Sequence, residues 1–366
     1  MLAESLAAGG HRVHLLVFHE GEDVIMDGVL LDRIRSFPGT RGIGPGFSFK
    51  KIICDLLMLF KASSLIKNDH FDIIHAVEEA AFLAMTLKAL YGLPFIYDMD
   101  SSLARQMEEK FSFLGPLATL MRRAEDTVIR QSCGVVAVCK SLEDIARRAD
   151  NEKNILRLED VSMLPPEIVI KENIRQEHGI NGTIFMYVGN LESYQGINLL
   201  LQSFALAAKT HPQATLVIIG GKDEDIDHYR KKTRQLQIEQ QVYFLGPRPI
   251  QDLGSYLIQA DVLVSPRISG NNTPMKIYSY LDAGVPVLAT QLTTHTQVLD
   301  DSISLLAEPT QEAFGGAMVT LMDKPDLGKR LAVQAKKRVQ QEFTRQAFKR
   351  KLLAFYSELE QTLPTS

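Results

Sequence analysis

Short apolar runs of five to eight residues, each bounded by Gly, Pro or polar residues, alternate with longer amphipathic stretches along the whole chain. In the first half "HRVHLLVF" (11–18), "FDIIHAV" (71–77), "PFIYDM" (94–99) and "GVVAVC" (134–139) read as strands, with weaker ones at 29–37 and 154–160. The runs at 71–77, 94–99 and 134–139 are short and mainly apolar, the pattern of a buried parallel strand. Helical patterns fall between them at about 49–67, 79–91, 102–131 and 141–149. The rhythm restarts with "TIFMYVG" (183–189), "ATLVIIGG" (214–221), "VYFLG" (242–246), "DVLVSPR" (261–267), "VPVLAT" (285–290) and "SISLLAE" (302–308). Near the end Phe343, Phe348, Leu352, Phe355 and Leu359 recur at helical spacing, as in a packed helix.

Pro165-Pro166 punctuates the middle of the chain. The expected organisation is a Rossmann-like domain over 1–165, a second over 166–340, and a C-terminal helix over 341–366 that packs back toward the first. The opening "LAESLAAGGHRVHLLVF" reads helix, Gly-Gly stop, strand. A doubly wound domain opens on a strand and a phosphate-facing turn, so the first domain is expected to lack its first strand. Ligands of such sheets bind beyond the carboxyl ends of the strands. The positions to watch are therefore 75–79, 98–102, 189–196, 220–222, 246–250 and 266–279.

Bulk properties narrow the class. The 366 residues suit two domains at about 100–200 residues each. A net charge of −4 argues against a general nucleic-acid binder. Three unpatterned cysteines, Cys54, Cys133 and Cys139, read as reduced thiols. No apolar run reaches the ~18 residues of a membrane span, and the start has no signal-peptide pattern. A cytoplasmic protein is expected. The stretch 47–67 is apolar around much of a helix with lysines at both ends, so peripheral contact with the inner face of a membrane is a further expectation, beside plain packing.

The segment "GNNTPMKIYSYLDAGVPVLAT" (270–290) carries the most chemistry. Thr273 and Pro274 have the pattern of a helix start. Lys276 then falls in the first turn, where positive charge costs about 0.3–1 kcal/mol against the helix dipole. A bound anion reverses that sign. Arg267 and Arg248 follow neighbouring strands, so three cations from separate strand ends are expected around one phosphate or diphosphate. The loop "GNLESYQG" (189–196) supplies another strand-to-helix turn.

These motifs, with the "LAESLAAGGHRVHLL" start and the Phe-rich final helix, resemble family 4 glycosyltransferases of the GT-B fold, over nearly the whole chain. The resemblance implies an α/β fold of two Rossmann-like domains facing a central cleft. It implies retaining transfer of a hexosyl group from a nucleotide-sugar donor held by the second domain, with no obligatory metal or other cofactor. The acceptor, a glycan or a lipid-linked molecule, is implied on the first domain. On the donor side the resemblance assigns Gly189, Asn190, Gln195, Gly220, Gly221, Arg248, Asn271, Asn272, Thr273, Pro274, Met275 and Ser279, with Lys276 and Arg267 stabilising the leaving diphosphate. The sequence departs from the family at several of these. Asn190 and Gln195 stand where relatives carry a basic pair, and Asn271 and Ser279 where relatives carry two glutamates.

On the acceptor side His75, Glu78 and Glu79 follow one predicted strand, and Asp98, Asp100 and Ser101 the next. Asp100 falls where relatives often have a histidine and is expected to orient the acceptor hydroxyl. Helix capping by Asp98, Ser101, Glu78 and Glu79 is the competing account of these residues. Two rival functions remain: a non-catalytic sugar-nucleotide-binding protein on the same scaffold, and a nucleotide-sugar epimerase.

Overall fold

A computed structural model describes residues 1–37, 40, 42, 49–105 and 115–363. The chain divides into two compact units, Met1–Glu159 with Arg345–Ser366, and Asp160–Thr344.

In the first unit the order is α1 (Leu2–Ala7), β1 (Val13–Val17), β2 (Val29–Arg33), α2 (Phe49–Asn68), β3 (Ile74–Val77), α3 (Ala80–Tyr91), β4 (Phe95–Met99), α4 (Gly115–Gln131), β5 (Gly134–Ala137), α5 (Lys140–Ala149) and β6 (Ile155–Arg157). All pairings are parallel, in two separate sheets: β1-β2, and β3-β4-β5-β6. Among the described residues β1 pairs only with β2, and β3 only with β4. The strands are shorter than the apolar runs that predicted them. The 29–37 run, for instance, leaves the sheet after Arg33, whose guanidinium is held by the carbonyls of Phe18, Glu20 and Glu22. Within the predicted 102–131 helix, residues 103–105 and 115–131 are helical, and 106–114 lie outside the described residues.

The second unit runs α6 (Ile174–Glu177), β7 (Ile184–Val188), α7 (Ile197–Thr210), β8 (Thr215–Ile219), α8 (Asp223–Gln235), β9 (Val242–Gly246), α9 (Leu253–Leu257), β10 (Val262–Ser265), α10 (Lys276–Asp282), β11 (Val287–Thr290), α11 (Thr293–Thr296), β12 (Leu305–Ala307), α12 (Gln311–Asp323) and α13 (Pro325–Glu342). Its six strands form one parallel sheet, ordered β12-β11-β10-β7-β8-β9. Apolar side chains fill both of its faces: Ile184, Met186, Val217 and Leu263 on one, Phe185, Leu216, Ile218 and Val264 on the other. Full burial of a Val, Leu, Ile or Phe contributes about 1.5–3 kcal/mol, so two filled faces hold this sheet.

The last helix, α14 (Arg345–Thr362), belongs to the first unit. Phe355 covers Gly134 of β5 so closely that a Cβ there would meet its ring at 2.7 Å. Cys54, Cys133 and Cys139 are free thiols. Among the described residues no helix is long and apolar enough to cross a membrane.

Candidate active site

The loops after β7, β8, β9 and β10 carry most of the residues predicted for the donor. Two glycines allow them to meet. Gly196 has φ +76°, and a Cβ there would lie 1.9 Å from the carbonyl of Pro266. Gly220 has φ +107°, and its Cβ would lie 2.2 Å from the carbonyl of Gly189. Both the backbone angle and the contact exclude any larger residue.

One side of this region is a cavity of about 300 Å³ lined by Gly189, Asn190, Gly220, Gly221 and Arg248 of the predicted set. Glu192, Lys222, Asp225, Pro249 and Tyr256 also line it. Glu192, Lys222 and Pro249 fall inside the strand-end windows but carry no motif spacing, while Asp225 and Tyr256 lie in α8 and α9 and are brought to the cavity by the fold. Arg248 is exposed, and its Nε lies 4.0 Å from Glu172, which also accepts a 2.9 Å hydrogen bond from the Tyr256 hydroxyl.

Lys276 lies at the junction of the β7 and β10 loops. Its Nζ donates to Gln195 Oε1 at 3.2 Å and sits 3.9 Å from the centre of the Tyr187 ring. Burial holds its pKa well below the ordinary lysine value, and the Arg267 charge pushes the same way. The neighbouring charge is thus another cation, not a carboxylate. His295, buried beneath, is pushed down to about 3 by burial, with Lys276 and Arg267 acting in the same direction, and is neutral near pH 7. It contacts the Ser265 hydroxyl at 2.8 Å and Thr290 Oγ1 at 3.0 Å; Thr290 in turn donates to the Arg267 carbonyl.

Arg267 is more committed than a free phosphate ligand would be. Its Nε donates to the Ser269 carbonyl at 2.8 Å, and its Nη1 to Asn272 O and Thr294 Oγ1, both at 3.2 Å. It also stacks 5.1 Å over the Tyr194 ring. Arg267 thus shapes the 268–272 loop while keeping its charge beside Lys276. Gln297 supports the same loop through the Asn271 carbonyl at 2.7 Å.

The helix start is not as the sequence suggested. Regular helix begins at Lys276, preceded by one tighter turn from Pro274 and Met275, and Thr273 gives no cap. Its hydroxyl is buried without a hydrogen-bond partner. Met275 is 54% exposed. Ser279 is buried, and its hydroxyl accepts from the Met163 amide at 3.1 Å. A serine reaches only as far as that neighbouring segment, whereas a longer acidic side chain could extend beyond it.

In the first unit His75 joins two elements, through Nε2 to Asp98 Oδ2 at 2.9 Å and through Nδ1 to the Tyr356 hydroxyl at 2.8 Å. Burial raises the Tyr356 pKa, so it stays a neutral phenol. Glu78, at φ +50°, accepts from Ser101 Oγ at 2.7 Å. A non-glycine residue in that region is strained, a frequent mark of functional loops. Glu79 forms an ion pair with Lys51. Nearby Asp55, which the motif reading did not include, is raised to about 6 by burial, with Glu79 adding and Lys51 opposing. Asp100 is exposed. Capping does not account for these carboxylates: Glu79 makes no side-chain cap at α3. At the following turn Ser102 and Glu125, not Asp98 or Ser101, meet the amides of Arg105 and Leu103. Among the described residues no cluster of three or more His, Cys, Asp or Glu is arranged to hold a metal.

Two Rossmann-like parallel-sheet units of this kind have the architecture of the GT-B fold. The family comparison agrees: the model for Glycosyltransferase Family 4 matches residues 1–155, and that for Glycosyl transferases group 1 matches 170–338. The chain belongs to the family 4 glycosyltransferases. It is 22% identical to D-inositol 3-phosphate glycosyltransferase of Corynebacterium glutamicum over 282 residues, 72% of this chain and 67% of that one. Among solved structures it resembles sucrose-phosphate synthase of Thermosynechococcus elongatus, with TM-score 0.78 at 18% identity over 99% of this chain and 92% of that one. It also resembles Anabaena HepE in complex with UDP and glucose, with TM-score 0.71 at 15% identity over 99% and 93%.

Proposed function

We propose that the protein is a retaining glycosyltransferase that moves a hexosyl group from a nucleoside-diphosphate sugar to a glycan or lipid-linked acceptor. The observation that carries this reading is Lys276: a half-buried lysine beside the Arg267 charge, at the meeting point of two strand-end loops. Such a charge is costly until an anion arrives. The diphosphate of the donor supplies that anion, and charge developing on it as the glycosidic bond breaks is stabilised by a group already in place. In this reading side-chain cations take the part that a metal plays elsewhere. The nucleoside occupies the 300 Å³ cavity beside Gly220, Gly221 and Arg248. HepE, whose solved complex holds UDP and glucose, supports a uridine nucleotide as the first donor to try. On the acceptor side Glu78, strained and exposed to Ser101, and Asp100 orient the incoming hydroxyl.

An exposed apolar stripe on α2, formed by Ile52 (40%), Leu56 (51%) and Phe60 (71%), supports peripheral attachment to a membrane that carries a lipid-linked acceptor. Co-sedimentation with anionic vesicles that survives Phe60→Ser at full strength would argue against it.

The test of the main reading is turnover with a panel of UDP- and GDP-sugars for the protein and for Lys276→Ala. Loss of about 100-fold or more in kcat/KM is expected. Equal turnover by both proteins overturns the assignment. Nucleotide binding without sugar transfer to any acceptor favours the non-catalytic alternative, and a changed sugar with no acceptor consumed favours the epimerase.

A further inference from the structure

Beneath the loop that carries Arg267 lies a set of fully buried polar side chains: Ser265 at the end of β10, Thr290 at the end of β11, and Thr294 and His295 in α11. Burying a polar group costs free energy unless it finds a partner. Apolar residues would pack the same space at lower cost, so what these side chains hold is informative.

Chemistry fixes the direction of their hydrogen bonds. His295 Nδ1 lies 2.9 Å from the Thr290 carbonyl, which can only accept, so Nδ1 carries the hydrogen. The same N–H reaches Thr290 Oγ1 at 3.0 Å. The Thr290 hydroxyl gives its own hydrogen to the Arg267 carbonyl, so toward His295 it is an acceptor. A neutral imidazole has one N–H, which leaves Nε2 to accept from the Ser265 hydroxyl at 2.8 Å. Burial keeps the ring neutral, and Lys276 and Arg267 act in the same direction. The result is a one-way relay from Ser265 through His295 and Thr290 to the Arg267 carbonyl.

Neighbours of His295 hold the rest of the loop. Thr294 Oγ1 donates to the Asn272 carbonyl at 2.6 Å and accepts from Arg267 Nη1. Gln297 Nε2 donates to the Asn271 carbonyl at 2.7 Å. On its other side the loop is tied by the Ile268 amide to the Tyr194 carbonyl at 3.0 Å. Tyr194 precedes Gln195, which accepts from Lys276. The relay therefore holds the Arg267 end of the arrangement that brings the two cations together.

We propose that His295 is a positioning residue: through Thr290 it fixes the Arg267 carbonyl and the 267–272 loop, and so holds the Arg267 charge beside Lys276. It acts through Thr290 and needs no contact with the donor. The functional part of this inference rests on the reading of the two cations as the diphosphate site.

Two pairs of variants test it. Thr290→Val removes the hydroxyl and keeps the shape, and Thr290→Ser restores the hydroxyl. His295→Asn keeps an N–H donor on the Thr290 side, and His295→Gln keeps an acceptor on the Ser265 side. UDP affinity by calorimetry, exchange of the Ile268 amide and the thermal midpoint are measured. Thr290→Val and His295→Gln should weaken UDP binding about tenfold and speed Ile268 exchange about tenfold, as the loss of a buried hydrogen bond implies. Thr290→Ser and His295→Asn should stay within about threefold of the parent. A merely structural role lowers the midpoint in all four and leaves UDP affinity and Ile268 exchange unchanged, and that result overturns the proposal. So does a loss that Thr290→Ser fails to restore. Where a His295 variant does not fold, the Thr290 pair decides. If the parent binds neither UDP nor inorganic diphosphate, the donor reading of the site falls, and Ile268 exchange still decides whether the relay holds the loop.

Discussion

The two units use one architecture and complete it to different degrees. In the second, β7 sits at the centre of six strands, and Ile184, Phe185, Met186 and Tyr187 along it are fully buried. In the first, the equivalent position separates two sheets, and the strands beside it are partly open. The contrast shows where each part of the function sits. The complete sheet holds four strand-end loops in fixed positions, so it can keep an uncompensated lysine in place. The interrupted sheet still positions His75, Asp98 and Glu78, because β3 and β4 pair with each other and α14 covers them through Tyr356.

The strongest way to break the comparison is at the complete unit's closest contact. Gly196→Ala puts a Cβ against the Pro266 carbonyl in a left-handed conformation. It should cost about 3 kcal/mol or more and weaken nucleotide binding with it. Urea unfolding of the two proteins checks this, and an unchanged midpoint refutes the close approach.

Lys276→Met should separate stability from function. The lysine's pKa is lowered in the fold, so the folded state binds fewer protons than the unfolded chain as pH falls below the ordinary lysine value near 10.4. The charge therefore penalises the fold at and below the depressed pKa, and the penalty fades as pH rises toward the ordinary value. Lys276→Met should unfold later than the parent at pH 7, by about 1–3 kcal/mol, and bind UDP about tenfold or more weakly. The advantage should vanish near pH 10. UDP binding by the parent should take up protons, seen as a buffer-dependent calorimetric enthalpy.

Asp55 offers the matching test in the interrupted unit. Its folded pKa of about 6 exceeds the ordinary 3.8, so the folded state favours its protonated form. Stability from this group is present below about pH 4 and is lost as pH rises through 6. Asp55→Asn should stabilise the protein by about 1–2 kcal/mol at pH 8, screening reducing the full shift, and by nothing near pH 4. The smallest expected effect is Tyr356→Phe, which removes one neutral hydrogen bond to His75 and should cost about 1 kcal/mol without altering UDP affinity.

Much of this was legible because buried parallel strands announce themselves. All twelve described strands start within three residues of a predicted start and lie inside predicted runs, since an apolar run between turn residues has few other uses. Boundaries were less legible: Thr273 has the chemistry of a cap, yet the chain turns at Pro274 and leaves its hydroxyl buried and unpaired. Charge alone did not show that the Arg267 guanidinium donates to the Ser269 and Asn272 carbonyls. Asp55 was invisible as a site residue because its neighbours in the chain are those of an ordinary amphipathic helix.

The residue pattern by itself determined two α/β units built on parallel strands, the strand ends where chemistry gathers, and a lysine at the start of a short helix. Side-chain hydrophobicity and turn chemistry are local, so they can be read in order along the chain. The tertiary structure decided which cations face each other, which are already satisfied, that His75 bridges Asp98 and Tyr356, and that the first unit's strands form two separate sheets with a cavity beside them. Those outcomes depend on residues as far apart as Gln195 and Lys276, or His75 and Tyr356, and only packing brings them within hydrogen-bond reach.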